Sequence, residues 1–136
     1  MKIERKFTTA ESGAYGQIAF NTTSSEIRNP DGTIVFKNDS VEVPSKWSQV
    51  ASDVLAQKYF RKAGIPAVVK KVKEKNVPEF LWRAVPDEAA LEQLAEDQRF
   101  VGETSAKQVF DRLAGAWTYW GWKGGYFSSE GDARAY

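Results

Sequence analysis

At 136 residues and a net charge of +1, with 42% hydrophobic and 27% charged residues, the chain has the length and balance of one globular domain, and no global charge draws it to nucleic acid or an anionic membrane. It contains neither cysteine nor histidine. Disulfides, thiolate nucleophiles, Cys/His zinc sites and imidazole acid–base chemistry are therefore excluded together.

Residues 1–44 read as strand, hairpin and turn. Ile3, Arg5 and Phe7 alternate with Lys2, Glu4 and Lys6, as a half-buried strand would. Ala10–Ser25 is rich in Ser, Thr, Gly and Asn and reads as a loop. Ser25–Arg28 and Thr33–Phe36 flank Asn29-Pro-Asp-Gly32, whose Pro and Gly fall where a hairpin turn wants them.

Residues 45–136 read as a mainly helical region, the two regions together forming one α+β unit. The first long helix is expected over 46–63 with Ser45 as N-cap, its buried face comprising Trp47, Val50, Ala51, Val54, Leu55, Tyr59 and Lys62. Gly64 and Pro66 stop it. Residues 65–85 look irregular, with a short strand at 67–72, and a shorter helix is expected over 87–95. The clearest helix spans 105–122, capped by Thr104, with Ala106, Val109, Phe110, Leu113, Ala114, Trp117, Trp120 and Gly121 on one stripe. On that stripe Trp117 and Trp120 should pack inward, and Tyr119 and Trp122 are less securely internal. Gly124-Gly125 ends the element and Ser128 opens another short one. That last helix is too short to stand alone and reads as interrupted.

Charge is unevenly spread. Lys58, Arg61, Lys62, Lys70, Lys71, Lys73 and Lys75 form a basic stretch, followed by Asp87, Glu88, Glu92, Glu96, Asp97 and Glu103. Two solvated, mutually attracting surfaces are the expected outcome, with a phosphate-facing role for the lysines as the alternative. No glycine-bearing loop has P-loop or Rossmann spacing. Lys123 lies at a helix C-terminus, where the dipole repels phosphate. The adjacent carboxylates have no sign of the displaced pKa that acid–base catalysis needs. No catalytic, cofactor-binding or metal-binding residue is assigned.

What remains is aromatic. Trp117, Tyr119, Trp120, Trp122, Tyr126 and Phe127 crowd eleven positions, and each such side chain can bury about 150–250 Å². They read as one side of an interface, satisfied by a partner or by self-association. Stacking on single-stranded nucleic acid is the rival reading, carried by Lys123 beside the rings.

Ser25–Gly32, Trp47–Lys62, Phe80-Leu-Trp-Arg83 and, above all, Gly102–Phe127 resemble the N-terminal region of adenosylcobalamin-dependent class II ribonucleotide reductases, over nearly the whole chain. The resemblance implies a segment packed before the ten-stranded α/β barrel of an enzyme that reduces ribonucleotides through a thiyl radical, using adenosylcobalamin and a thioredoxin-type reductant. It implies a non-catalytic role here, because a chain without cysteine has none of that equipment. The expected partner is the remainder of the reductase, either as one polypeptide or as a split enzyme. A stand-alone interaction or nucleotide- or ssDNA-binding module is the alternative. Met1–Lys6 lacks the apolar core of a signal peptide, and no run of about 18 apolar residues could span a bilayer, so a cytoplasmic location is expected.

Overall fold

The computed structural model describes residues 1–136 and is an α+β arrangement. A long antiparallel hairpin, β1 (Phe20–Arg28) and β2 (Ile34–Pro44), lies against α1 (Gln49–Val54) and α3 (Ala106–Lys123). Two small antiparallel pairs follow: β3 (Ile65–Pro66) with β6 (Phe100–Val101), and β4 (Val69–Lys71) with β5 (Ala84–Pro86). Short helices α2 (Glu88–Glu92) and α4 (Glu130–Ala135) complete the set. No helix is long and apolar enough to cross a membrane.

The hairpin turns where the sequence places it. Gly32 has φ +87°, which its missing Cβ permits, and its amide donates to Asn29 O at 2.9 Å. The strands run further than expected, because residues 20–23, read as loop, pair with Val41–Pro44. The strand expected at Ile3–Phe7 is absent. No neighbouring strand is offered to it, and its groups bond to α4 instead: the Ile3 amide donates to Asp132 Oδ1 at 2.8 Å, and Arg5 donates to the Arg134 carbonyl at 2.9 Å.

The first helix departs most from expectation. Pro44 still belongs to β2, and its carbonyl accepts from the Trp47 amide in a turn, so the N-cap moves to Ser48, whose Oγ accepts from the Ala51 amide at 3.2 Å. After Val54 the helix widens into a π-turn over Leu55–Tyr59, and the Phe60 amide donates to Leu55 O at 3.1 Å. In a regular helix Leu55 would share its face with Tyr59, four residues on. The wider turn brings Phe60 to that face instead. Leu55, Ala56 and Phe60 are buried with Ser52, while Val50, Val54 and Tyr59 are exposed.

The core is correspondingly small: Val41 and Val43 from β2, Leu55, Ala56 and Phe60 from the π-turned helix, and Ala106 and Val109 from α3, with Phe20, Trp47 and Leu113 at its edge. Beneath it lies one buried carboxylate, Glu103. Its Oε1 accepts from Arg112 Nε at 2.9 Å and its Oε2 from the Arg61 amide at 2.8 Å, while Arg112 also donates to Tyr59 O at 2.7 Å. One ion pair thus joins the end of the π-turn, the segment between β6 and α3, and α3 itself.

Candidate interaction surface

α3 carries most of the aromatic residues, so its packing decides what they can do. Ser105, not Thr104, is the N-cap, because Gln108 three residues further on completes a capping box and accepts from both the Thr104 and Ser105 amides at 2.8 and 2.9 Å. Gly124 caps the other end and Gly125 follows at φ +71°. At about 1.5 Å per residue the helix is ~27 Å long, more than one small core can cover.

Its two halves bury different faces. Ala106 and Val109 face the hairpin core. Thr118 is buried too, but it lies nine residues past Val109, about two and a half turns on, and therefore on the opposite side. The stripe begun by Ala106 and Val109 consequently runs out of partners. Phe110 keeps an edge-on contact with Trp47 (ring centroids 6.1 Å apart, planes at 86°) yet is 41% exposed. Beyond it Trp117 is 52% and Trp120 64% exposed. This reverses the expectation that these two pack inward, because the apolar periodicity continues past the end of the surface that it matches.

Tyr119 and Trp122 are the ones held within the protein. The Trp122 indole donates to Asn76 O at 2.7 Å, and the Tyr119 hydroxyl reaches both Glu74 oxygens at 2.9 Å. Lys123 Nζ lies 2.8 Å from Glu74 Oε1. The Lys123 and Tyr119 hydrogen bonds hold the Glu74 carboxyl below its usual pKa, and Glu74 in turn raises both of theirs. Lys123 is thus occupied with Glu74.

Phe127 is half-buried against Gly121 and Tyr136 (centroids 5.5 Å), where it ties α4 to α3. A Cβ on Gly121 would stand 2.7 Å from the Phe127 ring. Gly121→Ala should therefore displace that ring and lower stability by about 1–3 kcal/mol, read from chemical denaturation. Tyr126, 67% exposed, lies across Gly124 one turn from Trp120.

The six aromatic residues singled out in the sequence therefore divide. Trp117, Trp120 and Tyr126 stand in solvent along one end of α3, and Tyr119, Trp122 and Phe127 brace that end from inside. Spacing alone could not separate them, since the division depends on where the hairpin stops. The buried Glu103–Arg112 pair was missed altogether, because nine residues separate its partners and no local pattern marks them. The basic and acidic stretches do meet, at Lys70 and Asp87, 4.0 Å apart across β4 and β5.

Comparison with known proteins adds an identity to this geometry. Residues 21–136 match the family described as class II vitamin B12-dependent ribonucleotide reductase. A vitamin B12-dependent ribonucleotide reductase of Bradyrhizobium diazoefficiens is 67% identical over 136 residues, all of this chain, and one of Agrobacterium fabrum is 59% identical over the same span. A third, from Rhodopirellula baltica, is 33% identical over 61 residues, or 44% of the chain. The chain spans 11% of the length of the first two relatives.

Proposed function

The chain belongs to the class II vitamin B12-dependent ribonucleotide reductase family, as its N-terminal region, and from that premise we propose that it is a non-catalytic docking segment of such an enzyme. The whole enzyme would convert ribonucleotides to deoxyribonucleotides with adenosylcobalamin and a thioredoxin-type reductant, in the cytoplasm. No residue here could ligate cobalt through an imidazole, carry a thiyl radical or reduce a substrate with a dithiol, for the chain has neither histidine nor cysteine. The chemistry belongs to the part of the reductase that lies outside these residues.

The observation that carries the reading is the exposed ridge of Trp117, Trp120 and Tyr126 on a braced helix end, in a chain that spans only 11% of its relatives. A contiguous apolar ridge is unfavourable in water and marks a surface built to be covered. The occupant is the remainder of the reductase, which would receive the ridge in an apolar groove. Single-stranded nucleic acid is a weaker fit, because Lys123 is taken by Glu74.

The test is reconstitution. The Bradyrhizobium relative, with the matching stretch removed, should regain deoxynucleotide formation when this chain is added in trans, with a blue shift in tryptophan emission on binding. The chain alone should form no deoxynucleotide. Activity of the isolated chain, or failure of the two parts to associate, would overturn the proposal.

A further inference from the structure

A second concavity lies away from the aromatic ridge. It is a cleft of about 450 Å³ between β2, the segment that leaves the π-turn, and the strand before α3, lined by Phe36, Lys37, Asn38, Phe60, Arg61, Lys62 and Val101–Thr104. Its floor is tight. A Cβ at Gly102 would stand 2.7 Å from the Lys62 carbonyl, so glycine is what lets these two backbones close the base.

The charges around this cleft do not cancel. Three cations line it, and only Lys37 has a carboxylate partner, Asp39 at 3.1 Å. The sole acidic residue in the lining, Glu103, is turned inward, 5% exposed, and neutralised by Arg112. Arg61 uses its backbone to bind Glu103, but its guanidinium makes no ion pair or side-chain hydrogen bond, which leaves five donors open. Lys62 is positioned rather than free. Its ammonium donates to the Ala56 carbonyl and lies 4.2 Å from the centre of the Phe36 ring, with no carboxylate in reach. Burial lowers its pKa, as expected for a cation without a counter-charge. The Asn38 amide nitrogen and the Thr104 hydroxyl add two further donors without a partner in the protein.

A guanidinium fork with open donors and an ammonium without a counter-charge, on two residues that line one cleft together with the neutral donors of Asn38 and Thr104, suit the oxygens of a phosphate group. We propose that this cleft binds a small phosphate-bearing anion, gripped by Arg61 and Lys62 over the Gly102 floor. Nothing in the docking role requires such a site, so the two can fail separately.

Inorganic pyrophosphate is the probe, titrated into the 136-residue chain at low ionic strength and followed by calorimetry and by amide shifts in an isotope-labelled sample. Saturable binding is expected, with the largest shifts at Arg61, Lys62 and Gly102–Thr104, weakening as salt is added. Arg61→Gln should lose about tenfold or more in affinity, the scale of one charge-assisted contact. The guanidinium makes no hydrogen bond or ion pair in the protein and acts on Glu103 only through its charge, so this variant should lose little thermal stability, far less than removal of Glu103 itself. Lys75→Gln, outside the cleft, should bind within about twofold. Absence of saturable binding at millimolar pyrophosphate, unchanged affinity in Arg61→Gln, or shifts centred on residues 70–75 would each overturn the proposal.

Discussion

Replacement of Glu103 by Ala should destabilise the chain by about 3 kcal/mol, the low end of what breaking a buried ion pair costs. The low end applies because the Arg112 side chain is 28% exposed and can recover some hydration, whereas that of Glu103 is 3% exposed. The loss is large against the roughly 5–15 kcal/mol that holds a typical domain together. The variant leaves Arg112 without its counter-charge and the Arg61 amide without its acceptor, so the junction between π-turn and α3 loosens from both sides. The same pair sets an acid limit. Burial pushes the Glu103 pKa up, but the Arg112 hydrogen bonds, the Arg61 amide and the two nearby positive charges outweigh it, and the carboxyl ends below its usual value. Its folded pKa being depressed, its contribution is fully present above the unfolded value near 4.3 and is lost as pH falls through the folded one. Urea unfolding at pH 7 and through that acid range checks both points. An alanine variant with the parent's midpoint at pH 7 would remove the pair from any structural role.

The second large effect concerns binding. Trp120→Ala should weaken association with the remainder of the reductase by about 2 kcal/mol or more, roughly thirtyfold, as truncation of a central aromatic anchor does. The thermal unfolding of the isolated chain should hardly change, since Trp120 is already 64% in solvent. From the sequence, Trp122 is the natural choice for this experiment, because it stands off the apolar stripe. The structure reverses the choice. Trp122 is half-buried and its indole N–H satisfies the Asn76 carbonyl, so Trp122→Ala should lower stability first and binding only as a consequence. Paired measurements of unfolding and of binding separate the two variants. If Trp120→Ala unfolded the chain and left binding intact, the ridge would be core rather than interface.

These reversals show where the sequence is legible. Some signals that act over a few residues carried through: Asn29-Pro-Asp-Gly32 turned the hairpin and Gly124-Gly125 closed α3, while the N-caps expected at Ser45 and Thr104 moved to Ser48 and Ser105. Each was read within a residue or a few of its place. Periodicity identified α3 as a helix but could not say how far along it a partner surface extends, which is what separates Val109 from Trp117. In the first helix a single residue's worth of widening at Leu55–Tyr59 replaced Tyr59 by Phe60 on the buried face. Nothing in the spacing announces a π-turn. The ion pair and the anion cleft both depend on segments far apart in sequence, Arg61 with Glu103 and Phe36 with Lys62, and only the fold brings them together.

The ties between residues 1–5 and α4 also bear on the order of events during synthesis. Met1 bonds to the Tyr126 carbonyl across a separation of 125 residues, and Ile3 and Arg5 reach Asp132 and Arg134 across 129. Residues 1, 3 and 5 therefore wait until residues 126–134 have been made before these groups find their partners. Closing so long a loop gives no return until the hairpin, the π-turned helix and α3 have already shortened the distance. The seam between residues 1–5 and α4 should therefore close after the hairpin and α3, with amide exchange at Ile3 faster than at Val109 as the check.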